Sequence, residues 1–119
     1  AYRDTKEAYK KTEELLDLPD PPTCILYPDD FASFGGINAI QARGLRIPED
    51  ISVAGYDGIR IARHIEPKLT TLKQDTERIG REAAENLISL IEEPKSTLIR
   101  LISVGGEVYE GHSVADINT

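Results

Sequence analysis

Cysteine is nearly absent from this 119-residue chain: Cys24 stands alone, so no internal disulfide can form and no CxxC pair can hold a metal. Inside the apolar run at residues 23–27, it is expected to be a buried, inert thiol. Histidine is almost as scarce. His64 and His112 lie far apart in sequence without a ligand-spaced partner, which argues against a metal site. Positive charge is in deficit, with 14 Lys and Arg against 21 Asp and Glu and a net charge of -7, so the chain as a whole repels phosphate backbones. No apolar stretch approaches the roughly 18 residues of a membrane span, and AYRDTKEAYKK lacks the apolar core of a signal peptide. The cytoplasm is the expected location, with no membrane partner. The glycines at 35, 36, 105 and 106 form neither G-x-G-x-x-G nor a phosphate-binding P-loop, and no repeat or low-complexity segment is present.

Against these absences stand 39% hydrophobic and 29% charged residues, the composition of one globular domain. Ala8, Tyr9, Thr12, Leu15 and Leu16 recur at helical spacing, Asp4 and Glu7 have capping-box spacing, and Pro19, Pro21 and Pro22 forbid continuation. A helix over about 4–16 follows. TCILY reads as a short strand covered on both faces. Asp30 can cap a second helix bearing Phe34, Ile37 and Ile40, with Arg43 in its last turn and Gly44 as a left-handed stop. Gly35 and Gly36 inside that helix predict a close backbone approach, because each costs roughly 1 kcal/mol relative to Ala. A strand at 51–54 leaves through Gly55 towards Tyr56 and Asp57, and LTTLKQ gives a third strand. Asp75 or Thr76 caps a helix over 76–92 with Ile79, Ala83, Leu87, Ile88 and Ile91 on one stripe. LIRLISV and EVY, separated by Gly105 and Gly106, read as a closing hairpin before a polar tail.

Helices alternating with buried strands predict an α/β fold: three-layer α/β/α, with a mostly parallel sheet and an antiparallel edge. In such sheets ligands bind outside the carboxyl ends of the strands, where Asp29 and Asp57 fall. Two carboxylates on one rim suit a vicinal diol or an amine-bearing ring. Helix capping by Asp29 and Asp30 and an Asx-turn at Asp57 account for the same spacing. No Ser, His or Lys adjoins these aspartates, so the chain is not expected to be an enzyme, and no cofactor is implied. A receiver domain shares the size and acidity. It fails on order, because its acid pair must follow a first strand near the N-terminus and here a helix comes first.

The motifs PTCILYPDD, GLRIPEDISVAGYD, LTTLKQ and the small-residue helix beginning at Ile79 resemble the effector-binding domain of the lactose- and purine-repressor family of bacterial transcription regulators. The resemblance runs without gaps from residue 22 to residue 91, and the helix before it fits as well. It implies a two-lobed, periplasmic-binding-protein-like fold of type I, of which residues 1–119 would form the C-terminal portion. The 76–92 helix would then pack on a first lobe outside this chain. Carried over residue by residue, Asp29, Asp57 and Gln74 face the effector cleft, and Arg3 departs from the family in standing where a ligand-stacking aromatic is common, with Tyr2 adjacent as a further effector-binding candidate. Gly58 and His112 depart from a frequent Asp or Asn and a frequent Arg. A homodimer is implied through Phe34, Ile37, Ile61 and Ile65.

These readings point to the ligand-sensing part of a repressor whose effector is a sugar rather than a purine, with DNA contacted through a helix-turn-helix headpiece outside this chain. The C-terminal half of a solute-binding protein for transport, which shares the fold, is the alternative. From the charge alone, residues 1–119 are expected to give no salt-sensitive gel shift with any DNA at submicromolar concentration and physiological salt. A shift under those conditions would contradict the acidic reading.

Overall fold

The computed structural model describes residues 4–118. The chain through Lys73, together with the segment from Val108 onward, forms one compact unit, and Gln74–Glu107 forms a second. The elements are α1 (Thr5–Leu16), β1 (Cys24–Leu26), α2 (Asp30–Ala42), β2 (Ser52–Asp57), a 3-10 turn (Arg60–Arg63), β3 (Thr70–Lys73), α3 (Thr76–Glu92) and β4 (Glu107–Tyr109). The sheet order is β1-β2-β3-β4, with β1 parallel to β2 and β2 parallel to β3. A mostly parallel α/β fold is therefore present, as the alternation of elements predicts.

Local chemistry explains the helices. Asp4 caps α1 by accepting from Lys6 N and Glu7 N, and Asp75 caps α3 by accepting from Arg78 N. Helix α2 ends as expected, with Gly44 at φ +74. Its two internal glycines are explained by contact. A Cβ at Gly35 would run into the Thr5 backbone of α1, and one at Gly36 would occupy the space of the Tyr27 hydroxyl. That hydroxyl meets Thr12 Oγ1 at 2.6 Å; Thr12 itself donates to Ala8 O, so Tyr27 is the donor. Burial pushes the Tyr27 phenol up from its ordinary pKa, which keeps that donor in place. At the other end of the pair, Arg43 reaches Asp17 at 2.6 Å and holds its carboxyl below the usual range.

The core is built from Ile25, Tyr27, Ala32, Ile37, Ile40, Ile47, Ile51, Val53, Ala62 and Leu69. The "polar tail" of the sequence is in fact part of the sheet unit. Ser113 is fully buried: its hydroxyl donates to Val53 O at 2.6 Å and accepts from Thr70 N at 2.8 Å, and its carbonyl accepts from Val53 N. It thereby fills the hydrogen-bonding positions of β2 just upstream of the β2–β3 ladder, which begins at Ala54 and Thr70.

Several expectations need correction. Asp29, not Asp30, caps α2. Strand β1 is not covered on both faces: Ile25 is buried, but Cys24 and Leu26 point the other way and are exposed. Cys24 is therefore not a buried thiol. Strand β2 runs on through Gly55 to Asp57 instead of ending at Ala54, and the hairpin does not form, because residues 98–104 have no strand conformation and Leu98, Ile99 and Leu101 are more than 80% exposed. In the second unit, α3 buries none of its side chains, and Leu87, Ile88 and Ile91 lie open on it.

Asp30 is completely buried, yet every donor it needs is at hand: Oδ2 accepts from Gly58 N and Ile59 N, both at 2.9 Å, and Oδ1 from Thr71 Oγ1 at 2.7 Å. One carboxylate joins the start of α2, the exit of β2 and the middle of β3. Removing it strands three donors, so Asp30→Ala is expected to lower stability by about 2–4 kcal/mol in urea unfolding. A loss below about 1 kcal/mol would show that water substitutes freely for it.

Candidate functional site

Parallel strands β1 and β2 deliver their carboxyl ends to the same edge of the sheet, and each is followed or closed by an aspartate. Asp29 comes three residues after β1; it is 5% exposed, and its carboxylate accepts from Ala32 N at 2.8 Å as the N-cap of α2. Asp57 is the last residue of β2, paired with Lys73 of β3, and is half-buried. Its backbone has φ +120, the one positive value outside glycine among the described residues. L residues rarely adopt that region, and such strain gathers at sites where the surroundings impose it.

The neighbouring Gly58, at φ +75, completes the turn. A Cβ there would collide with Lys73 Cα, so this turn has room for glycine alone. Gly55 is likewise closed in, with Asp30, Leu69 and Ser33 where a Cβ would stand. Sequence reading singled out Asp57 and Asp29 but missed Asp30, whose position one residue after the true cap hides a tertiary role behind a local one.

The remaining expected residues are less concentrated. Gln74 directly follows β3 and opens the second unit. Tyr2 and Arg3 lie outside the described residues. Of the interface candidates, Ile37 is 4% exposed and belongs to the core, so it is corrected out of that set: its position on α2 faces the sheet. Ile65 is partly buried against the core, Phe34 is half-buried, and Ile61 is 54% exposed. Phe31, which the sequence pattern did not single out, is exposed and meets Phe34 edge-on with ring centres 6.0 Å apart. Its position one turn before Phe34 was the available signal. No cluster of three or more His, Cys, Asp or Glu able to hold a metal occurs among the described residues, and no helix there is long and apolar enough to cross a membrane.

Comparison with known proteins places this edge in a family. The model of the periplasmic binding protein-like domain matches residues 1–114. The probable HTH-type transcriptional repressor ExuR of Bacillus subtilis (strain 168) is 40% identical over 99 residues, which is 83% of this chain and 30% of that protein. The HTH-type transcriptional repressor PurR of Aliivibrio salmonicida (strain LFI1238) is 38% identical over 107 residues, 90% of this chain and 32% of that one. Among solved structures, a LacI family transcriptional regulator from Enterococcus faecium with bound ribose superposes with a TM-score of 0.85 at 30% identity, covering 94% of this chain and 41% of the other. These relatives are regulators, not enzymes, and this chain spans about a third of the length of the two repressors. The match over residues 1–114 and the mostly parallel sheet agree: the chain belongs to the periplasmic binding protein-like domain family, alongside LacI-type transcription repressors.

Proposed function

We propose that this chain is the C-terminal part of the effector-binding domain of a cytoplasmic transcription repressor, and that its effector is a small sugar. The observation that carries the reading is the pair of acidic residues at the carboxyl ends of two neighbouring parallel strands, Asp29 after β1 and Asp57 closing β2. A carboxylate accepts two hydrogen bonds in one plane, the geometry that adjacent sugar hydroxyls donate. The ribose bound by the Enterococcus regulator supports a sugar over a purine. The resemblance adds Gln74, directly after β3, and Tyr2 and Arg3 as further candidates for effector contact. A helix-turn-helix headpiece outside residues 1–119 contacts DNA, since this acidic chain cannot. The apolar stripe of α3 packs on the first lobe.

The coding sequence upstream of Ala1 separates this from its alternative. An in-frame helix-turn-helix supports the repressor; a secretion signal there transfers the lobe to a solute-binding protein for transport.

The Asp29 carboxylate caps α2 through Ala32 N, so its loss tells on the helix as well as on the sugar. In a protein carrying both lobes, Asp57→Asn is expected to weaken sugar binding by about 1.5–3 kcal/mol, roughly tenfold or more, as a lost charged hydrogen bond. Asp29→Ala should instead cost about 1 kcal/mol of stability as a lost cap, with a smaller effect on affinity. Calorimetry in which Asp57→Asn binds ribose-class sugars as the wild type does removes Asp57 from the site.

The repressor reading also requires a two-fold pairing of subunits to match a palindrome. Phe34, Ile61 and Ile65 are the pairing face, on α2 and the segment after β2, with Ile61 the most exposed of them. Sedimentation of Ile61→Asp is expected to show association weakened by about 2 kcal/mol. Equal association of variant and wild type, or a wild type that stays monomeric at high concentration, rejects this face.

A further inference from the structure

Asp57 holds a backbone conformation that its own sequence does not favour, so something outside the residue must impose it. Three constraints converge on the turn. Lys73 Cα stands so close to Gly58 that the chain can pass only without a side chain there. Lys73 also pairs with Asp57 in the β2–β3 register, which fixes the strand side of the turn. The third constraint comes from a different element: Asp30 Oδ2 accepts from Gly58 N and Ile59 N together, both at 2.9 Å. Two consecutive N–H groups can converge on one oxygen only when the backbone curls around it, here at Gly58 with φ +75, and the φ of +120 at Asp57 is what joins the strand, fixed by its register, to those two fixed amides.

We infer that Asp30 is a positioning residue for the effector site: its buried carboxylate fixes the Asp57–Gly58 turn and so determines where the Asp57 carboxylate is held. Thr71 is the second member of the device, because its hydroxyl donates to Asp30 Oδ1 at 2.7 Å and sets the plane in which Oδ2 meets the two amides. Gly55, where a Cβ would overlap Asp30 and Ser33, leaves the room that the carboxylate occupies. The inference rests on the proposed role of Asp57 for its functional meaning, but its test needs no effector.

The three-bond coupling between the amide and α protons of Asp57 reads φ directly, and at φ near +120 it is small, whereas extended backbone gives a large value. Measured by NMR on residues 1–119, wild type should show the small coupling and distinctive amide shifts at Gly58 and Ile59. Asp30→Ala, which removes both acceptor oxygens, should raise the Asp57 coupling severalfold towards the extended value and move both amides. Thr71→Val should shift the same two amides and raise the coupling part of the way, and Thr71→Ser should restore wild-type values. General loss of stability would not move φ in the folded molecules or be rescued by the hydroxyl. A small, unchanged coupling in a folded Asp30→Ala overturns the inference. Should Asp30→Ala fail to fold, unchanged coupling and amides in Thr71→Val overturn it. A changed coupling with unaltered sugar affinity in Asp57→Asn would uphold Asp30 as the determinant of the turn and count against the sugar site alone.

Discussion

The structure depends most on a carboxylate that never reaches solvent. Asp30 lies at the first position of α2 with no exposed surface and three donors from two other elements. Burying a carboxylate is expensive, and the arrangement persists because each hydrogen bond to it is charge-assisted and because the N-terminus of α2 places partial positive charge beside it. The consequence is architectural. The layer made by α1 and α2 is tied to the sheet at one end by Asp30 and to the segment after β1 by the Thr12–Tyr27 hydrogen bond, while Ile37 and Ile40 add nonpolar packing against Val53 and its neighbours. Polar attachment fixes position where packing alone fixes only distance.

That division explains what could be read from the sequence. Helix limits were legible because they are local: Asp4, Asp75 and Gly44 act within one turn of their own helix. The glycine pair in α2 was legible as a cost needing a reason, although only the fold shows that the reasons are Thr5 and Tyr27. Asp30 was not. A helix-starting aspartate has the same sequence signature whether it caps locally or reaches across the sheet, and Asp29 beside it took the local role. Ser113 was hidden in the same way, since a polar residue near a polar tail gives no sign that its hydroxyl replaces a strand partner between Val53 and Thr70.

The failures of the apolar reading share one cause. TCILY, LIRLISV and the α3 stripe are apolar enough for burial, yet Leu26, Leu98, Ile99, Leu101 and Ile91 are each more than two-thirds exposed. Hydrophobic pattern reports the burial a segment seeks in its complete setting, and periodicity cannot say whether the covering surface belongs to the same stretch of chain. The relatives extend over about three times the length matched here. The sheet unit is different: its core closes with residues of its own, and the strand-end site belongs to that closed part.

The position of Asp30 also bears on how a sensing domain of this kind would work. Helix α2 carries Phe31 and Phe34 in contact on one face of its first turn, and begins with the residue whose carboxylate holds the Asp57–Gly58 turn. On the proposed reading, the pairing face and the effector site are thus attached to opposite ends of a single side chain. A displacement of the turn large enough to reorient Asp57 must either break two hydrogen bonds to Asp30 or carry the start of α2 with it. Breaking them leaves buried partners unsatisfied at a cost of about 1–3 kcal/mol each, while moving the helix disturbs the packing of Ile37 and Ile40 in the core, so the turn and the start of α2 are held as one unit.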